Sequence, residues 1–258
     1  IFGDTLTPAI VQKYSAAFGI YQKSSYGKGK IMVGRDSRTT GVAMLHCILS
    51  SLMSVGLDVV DLGIVSTPTV LLAVEESDAI GGISITASHN PPEWNAMKFV
   101  DADGMFLSPA KASDFLSLVE QDINWVGWQE IGHHMADDQA TARHIDKILA
   151  IPYLQADAIR KRRFKVVLDS VNGAGGVISP LLLQKLSCEV ISINEAPTGI
   201  FAHPAEPLNH NLKQLEEAVA KHKADIGFAT DPDVDRLSIV SDQGKCIGEE
   251  LSVVLAQC

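Results

Sequence analysis

Apolar runs and helical patterns alternate along the first part of the chain. An apolar run at 31–33 ends in a polar turn and is followed by a helical pattern over 42–55 and a second apolar run at 58–62. Strand, turn, helix and strand in this order predict a βαβ unit. A further strand is predicted over 79–86, with 98–100 as its hairpin partner.

The same order returns in the second part of the chain. We predict strands at 164–168, 189–193 and 226–229, and helices at 177–186 and 212–222. Asp36 and Asp169 then occupy equivalent places, each just after the first strand of its series. The predicted fold class is α/β: two consecutive domains of similar α/β/α architecture with mixed, mostly parallel sheets.

The expected domain boundaries follow from this repeat. A helical, charged stretch at 137–163 divides two domains, predicted at 1–151 and 152–247, and 248–258 is the start of a truncated third domain. The chain begins at Ile1 and stops inside an apolar run at Cys258, so we expect it to be a fragment of a longer protein.

The net charge and the cysteine content restrict the classes of binding partner and the cellular compartment that we expect. The chain has 258 residues with 21 basic and 31 acidic side chains, a net charge of −10. This balance argues against a nucleic-acid or membrane surface, and no apolar run approaches the ~18 residues of a spanning helix. Four cysteines without a C-x-x-C pair predict neither a disulfide framework nor a zinc site, and favour a reducing cytoplasm.

An acidic motif follows the predicted strand at 226–229. Asp231, Asp233 and Asp235 alternate along an extended loop, which turns three carboxylates toward one point and favours a hard cation there. An EF-hand is excluded because Arg236 stands where that loop needs Gly. A haloacid-dehalogenase-type phosphatase remains the alternative, although its motif belongs on a first strand.

A second polar loop reads Thr-Ala-Ser-His-Asn-Pro and follows the strand predicted at 79–86. It lacks the glycines of a nucleophile elbow, because Thr86 and Asn90 occupy those positions. Neighbouring side chains point apart on an extended chain, so His89 is expected to be badly placed as a base for Ser88. Taken alone, the loop is interpreted as a polar turn ended by prolines.

Two other candidate motifs favour structural roles. Gly173 and Gly175 resemble part of a dinucleotide fingerprint, but Ile178 stands where Gly or Ala is needed, which favours a tight strand–helix turn. The histidines and aspartates at 133–138 could form a metal cluster; a solvent-exposed helix start is favoured instead.

Together the two polar loops resemble the α-D-phosphohexomutase family, which includes phosphomannomutase, phosphoglucomutase and phosphoglucosamine mutase. The resemblance rests on the serine loop, on Trp94-Asn95-Ala96-Met97-Lys98, on Asp-Pro-Asp-Val-Asp-Arg at 231–236, and on the segments at 34–38 and 169–176. It covers essentially the whole chain. Family members have four domains, of which the first three share one α/β topology, and this agrees with the repeat described above.

The resemblance implies roles for individual residues. Ser88 would be the phosphoserine, and one of its phosphate oxygens would bind one Mg²⁺ together with Asp231, Asp233 and Asp235. The family pattern makes Lys98 a general acid/base or electrostatic partner, places His89 and Arg236 along the phosphoryl site, and makes Arg35 and Arg236 candidates for substrate binding.

The activity that the resemblance implies is interconversion of hexose 6-phosphate and hexose 1-phosphate through phosphoserine and a bisphosphorylated sugar. The loops that read the sugar and clamp its distal phosphate lie in the third and fourth domains, so the hexose is not specified here. Three segments look most like those of phosphoglucosamine mutases: Glu93-Trp94-Asn95, Asp-Pro-Asp-Val-Asp-Arg at 231–236, and Gly-Glu-Glu at 248–250. A non-catalytic binding module is the alternative of a different class.

Overall fold

The computed structural model describes residues 1–248 and residue 251. Their contacts group them into two compact units. The first contains 1–35, 39–87 and 93–140, and the second contains 36–38, 88–92 and the chain from Thr141 on. Among the described residues, no helix is both long enough and apolar enough to cross a lipid bilayer.

The first unit is a five-stranded sheet with helices on both faces. Its elements are α1 (Pro8–Tyr26), β1 (Lys30–Arg35), α2 (Gly41–Ser54), β2 (Asp58–Ile64), α3 (Thr67–Glu75), β3 (Gly81–Ile85), β4 (Met97–Asp101), α4 (Pro109–Val119) and β5 (His134–Ala136). The strand order is β4-β3-β1-β2-β5, with β4 antiparallel to β3 and the other pairs parallel. Three of the helices start at hydroxyl N-caps followed by proline, namely Thr7, Ser66 and Ser108.

Alternation along β1 distributes the core of this unit over both faces of the sheet. Val33 belongs to one core cluster, with Ile83 of β3 and Phe18 of α1, whereas its neighbour Met32 belongs to a second cluster, with Val70 of α3. Successive strand residues point to opposite faces, so a strand that is buried on both sides is apolar at every position. Helices therefore cover both faces, as an α/β/α layer requires.

The second unit repeats this arrangement with four strands. After α5 (Ala140–Leu149) come α6 (Ala156–Arg162), β6 (Lys165–Asp169), α7 (Gly175–Lys185), β7 (Glu189–Ile193), a 3₁₀ turn (Asn209–Asn211), α8 (Lys213–His222), β8 (Ile226–Thr230) and β9 (Leu237–Ser241). The order is β7-β6-β8-β9, with only β9 antiparallel to its neighbour. Leu212, Leu215 and Val219 are fully buried against Val167 and Val240.

The predicted fold class is confirmed, and one local expectation is wrong. Residues 133–138 do not start a helix: His134–Ala136 forms β5, which pairs in parallel with β2. Its three residues are all exposed, so no buried face marks the strand, and its pairing with β2 is what identifies it. The domain boundaries remain predictions. Most of the predicted start of a third domain, 249–250 and 252–258, lies outside the described residues.

Candidate phosphoryl-transfer and metal site

The serine loop, 88–92, leaves the carboxyl end of β3. Ser88 has a left-handed backbone conformation with φ of 50°, which is uncommon outside glycine. Its Oγ donates a hydrogen bond to Oδ2 of Asp231 at 2.9 Å. His89 Nδ1 lies 3.4 Å from the same Oγ, contrary to the expectation that the two side chains point apart. The positive φ explains the difference, since the chain turns at Ser88 and is not extended there.

Arg38 donates hydrogen bonds to the backbone of this loop. Sequence reasoning assigned no role to this residue. The side chain is fully buried and its Nε donates to Asp36 Oδ2 at 3.0 Å. The two terminal nitrogens donate to the carbonyl oxygens of Ser88, Asn90 and Pro91 at 2.6 to 2.7 Å. Burial lowers the pKa of the guanidinium, and the charge of Asp36 opposes that effect.

The acidic loop leaves the carboxyl end of β8 and brings its three aspartates together. Asp231, Asp233 and Asp235 each offer a carboxylate oxygen, and these oxygens lie within 4.8 Å of one another. Asp231 and Asp233 are fully buried, and Asp235 is exposed. Val234 turns the chain with φ of 62°, an outlier for a β-branched residue. In the part of the chain that the structure describes, no other histidine, cysteine or acidic cluster of this kind occurs.

The electrostatics of the triad favour a bound cation. Burial, reinforced by the charges of Asp233 and Asp235, raises the pKa of Asp231 to about 8. Two buried carboxylates beside a third repel one another unless a positive charge is placed between them. An all-oxygen donor set of carboxylates is the set that Mg²⁺ prefers, so the residues present fit a divalent ion of that kind.

A glycine turn supports the acidic loop from the start of α7. Ala174 N donates to the carbonyl of Pro232 at 2.8 Å. A side chain on Gly173 would place its Cβ 2.6 Å from Pro232 Cα, closer than a real Cβ can approach. The turn is therefore a strand–helix connection built for close backbone packing, as the sequence favoured over a dinucleotide fingerprint.

Arg236 and His89 flank the site, and both approach the carboxylate of Glu206. Arg236 donates from NH1 to Glu206 Oε1 at 3.3 Å, and His89 Nε2 lies 3.8 Å from the same oxygen. The backbone N–H of Arg236 also donates to Asp231 Oδ1 at 3.2 Å. Glu206 was missed by sequence reasoning, because nothing in its neighbourhood marks an acid 30 residues from its arginine partner.

The second unit thus brings together six of the eight predicted site residues: Ser88, His89, Asp231, Asp233, Asp235 and Arg236. The other two belong to the first unit. Lys98 lies on β4 opposite Ser84, with its Nζ 5.9 Å from the centre of the Phe106 ring. Arg35 is the last residue of β1, half-buried and paired in register with strands on both sides.

Comparison with known proteins matches two consecutive stretches of the chain to two domains of one family. Residues 1–124 match the family profile described as phosphoglucomutase/phosphomannomutase, alpha/beta/alpha domain I, and residues 142–244 match domain II of the same family. Two similar relatives are named "Probable phosphoglucosamine mutase". The protein from Methanopyrus kandleri is 37% identical over 95% of this chain and 53% of its own length. The protein from Methanocella arvoryzae is 39% identical over 97% of this chain and 54% of its own length.

A solved structure agrees with these relatives. The crystal structure of a phosphoglucomutase/phosphomannomutase family protein from Burkholderia thailandensis aligns with a TM-score of 0.82 at 26% identity, over 95% of this chain and 53% of that one. The chain spans about half the length of the curated relatives it matches.

Proposed function

The chain belongs to the phosphoglucomutase/phosphomannomutase family, and from that premise we propose that it carries the phosphoryl-transferring part of a phosphohexomutase. The longer enzyme would interconvert hexose 6-phosphate and hexose 1-phosphate, with Ser88 holding the phosphoryl group between the two half-reactions. The observation that carries the proposal is the 2.9 Å hydrogen bond from the Ser88 hydroxyl to a buried aspartate of a three-carboxylate cluster.

Charge explains why the hydroxyl and the acids belong in one site. A phosphoserine carries about −1.5 to −2 charges, which cannot sit beside three carboxylates without positive charge between them. Asp231, Asp233 and Asp235, with a phosphoserine oxygen, would hold Mg²⁺. When bound, the ion would neutralise charge on the phosphoryl oxygens. Arg236 supplies further positive charge at the rim.

In the proposed transfer, the bond between phosphorus and Ser88 Oγ breaks as a sugar hydroxyl oxygen bonds to the same phosphorus. The hydroxyl gives up its proton to a base, for which we propose Lys98 in its neutral form, and Ser88 Oγ takes up a proton from the medium or from His89. The reverse step returns a phosphoryl group from the bisphosphorylated sugar to Ser88. Positioning and electrostatics supply most of the rate in such transfers.

The substrate class is a hexose phosphate, and glucosamine phosphate is the first to test, because two relatives carry the name phosphoglucosamine mutase. Arg35 and Arg236 are proposed to bind substrate phosphate, as planar guanidinium groups suit phosphate oxygens. We place the reaction in a reducing cytoplasm, in keeping with the free thiols of Cys47, Cys188 and Cys246.

The test is Ser88→Ala in the longer enzyme and in this chain. We expect mutase turnover of the enzyme to be abolished and incorporation of phosphate into this chain, after incubation with a hexose 1,6-bisphosphate and Mg²⁺, to be lost by intact mass. Ser24→Ala, an exposed serine at the end of α1, is the control and should keep both. Phosphate on the Ser88→Ala chain would assign the group to another residue. A wild-type chain that takes neither phosphate nor Mg²⁺ would favour a non-catalytic module.

A further inference from the structure

Arg38 is the largest fully buried side chain of the described residues. A buried guanidinium is costly unless it is paired and fully hydrogen-bonded. Asp36 supplies the charge, and the N–H of Arg38 also donates to Asp36 Oδ1 at 2.9 Å, so the carboxylate closes a tight local turn around it. The guanidinium also donates to three backbone carbonyls of one loop.

These three carbonyls belong to a segment that has no regular structure of its own. Residues 88, 90 and 91 lie between β3 and β4 in a loop broken by Pro91 and Pro92, which donate no backbone N–H. Their oxygens converge on a single side chain at 2.6 to 2.7 Å. A planar guanidinium presents several donors in a rigid fork, whereas an ammonium is a point charge on a flexible stem.

The segment that carries Arg38 is in turn fixed within the second unit. Ser37 Oγ donates to the carbonyl of Asn172 at 2.7 Å, and a Cβ on Gly199 would lie 2.2 Å from the Ser37 carbonyl oxygen. The ring of Phe201 covers the guanidinium, with its centre 5.0 Å from Cζ. The guanidinium is therefore held on one side by packing and on the other by the serine loop.

We propose that Arg38 is a positioning residue, which holds the backbone of 88–91 so that the Ser88 hydroxyl faces Asp231. In this role Arg38 acts through the backbone of the loop. Its guanidinium also interacts electrostatically with Asp233 and Asp231. Its effect on loop order stands on the contacts alone, and its effect on phosphoryl transfer rests on the proposed function.

The experiment compares Arg38→Lys with Arg160→Lys. Arg160 also bonds a carboxylate and a backbone carbonyl, Asp157 Oδ1 at 2.9 Å and Lys185 O at 3.1 Å, but on α6 and at the surface. Hydrogen exchange of this chain should accelerate about tenfold or more in the peptide that contains Ser88, His89 and Asn90 in Arg38→Lys alone. The Mg²⁺ affinity of both variants should stay within about twofold of wild type, since neither residue is among the metal ligands.

Steady-state kinetics of the longer enzyme then distinguish a positioning role of Arg38 from general destabilisation of the fold. Arg38→Lys should lower kcat by about tenfold to a hundredfold and leave KM for the hexose phosphate unchanged, because a displaced nucleophile slows transfer without altering substrate binding. If Arg38→Lys does not fold, Phe201→Leu decides. It keeps every hydrogen bond of Arg38 and removes the covering ring, and should loosen the same peptide to a smaller extent.

The outcomes distinguish this inference from the proposed function. Unchanged exchange at the serine loop in Arg38→Lys, or in Phe201→Leu if the first variant is unfolded, would overturn the positioning role. A loosened loop in a chain whose wild type takes no phosphate on Ser88 would keep the positioning role and overturn the phosphoryl-transfer function. Equal losses in Arg38→Lys and Arg160→Lys would show general destabilisation and would contradict the inference.

Discussion

Four strands of the first sheet are arranged in the same order as the four strands of the second, yet the loops of the two sheets carry different chemistry. Reading outward from the central strand, β1 corresponds to β6, β2 to β7, β3 to β8, and the antiparallel edge strand β4 to β9. The serine loop connects β3 to β4 and the acidic loop connects β8 to β9, so they are the same connection in two copies of one topology. One copy offers a hydroxyl and the other offers carboxylates.

The loops after the central strands differ in a second instructive way. Asp36 after β1 and Asp169 at the end of β6 are both buried, and each accepts the backbone N–H two residues on, from Arg38 and Val171. In the first copy the countercharge is Arg38. In the second it is His203, whose Nε2 lies 3.0 Å from Asp169 Oδ2 and whose Nδ1 lies 2.9 Å from the Pro204 carbonyl.

The comparison shows which features a repeated scaffold keeps and which it varies. The buried aspartate and its turn belong to the scaffold, because they close the carboxyl end of a central parallel strand. The partner cation and the hairpin loop vary, and ligands in open α/β sheets gather at those carboxyl ends. Substitutions in the loops of one sheet at a time therefore separate residues with a structural role from residues with a chemical role.

The largest effect is expected from Asp233→Asn in the acidic loop. Loss of one of three converging carboxylates should weaken Mg²⁺ binding by more than about tenfold. The same change removes a repulsion that raises the pKa of Asp231, so the metal-free chain should become more stable, by about 1 kcal/mol. Calorimetry gives the affinity and urea unfolding gives the stability.

Asp242→Asn is the matched control, since Asp242 lies exposed in the turn after β9. Asp242→Asn should change neither the Mg²⁺ affinity nor the free energy of unfolding. An Asp233→Asn chain that binds Mg²⁺ as tightly as wild type would remove this residue from the metal site.

Much of this arrangement was predictable from local pattern. The β-branched and apolar runs gave the central strands, and the alternating aspartates at the exit of β8 indicated a convergent cluster. The long-range contacts of Arg38 and His203 were not predictable. Arg38 donates to the carbonyl of Ser88, 50 residues away, and His203 lies against Asp169, 34 residues away, and no short motif predicts such contacts. The exposed edge strand β5 was missed for the same reason, since its conformation depends on a neighbouring strand.

The second prediction concerns the cations that differ between the copies. Both nitrogens of His203 face acceptors, and the doubly protonated imidazolium is the form that donates to both. Burial acts to lower the pKa of His203, but the hydrogen bond and charge of Asp169 outweigh it and raise the pKa above 6.5. This stabilisation is therefore complete below the unfolded pKa and is lost as the pH rises through the folded one.

His203→Gln should cost about 1.5–3 kcal/mol of unfolding free energy at pH 5.5 and progressively less toward pH 9, because glutamine can donate to Asp169 but never carries the charge. Urea unfolding of both chains across this range gives the difference. Arg160→Lys, which exchanges one surface cation for another, should show no such pH dependence. A difference between wild type and His203→Gln that is constant with pH would mean that His203 is neutral when folded.

The smallest effect is expected at Val234, where the acidic loop uses the left-handed backbone that the serine loop uses at Ser88. Only the second copy can be relieved of this strain without removing the proposed chemistry. A left-handed β-branched residue costs roughly 1–2 kcal/mol, and glycine gives back about 0.5–1 kcal/mol in chain entropy. Val234→Gly should therefore raise the unfolding free energy by less than about 1 kcal/mol and keep Mg²⁺ affinity. Val234→Ala, which removes the branch but keeps a Cβ at positive φ, controls for lost packing and should gain less. If glycine were no better than alanine, the turn at Val234 would be unstrained, and convergence of the carboxylates would carry no backbone cost.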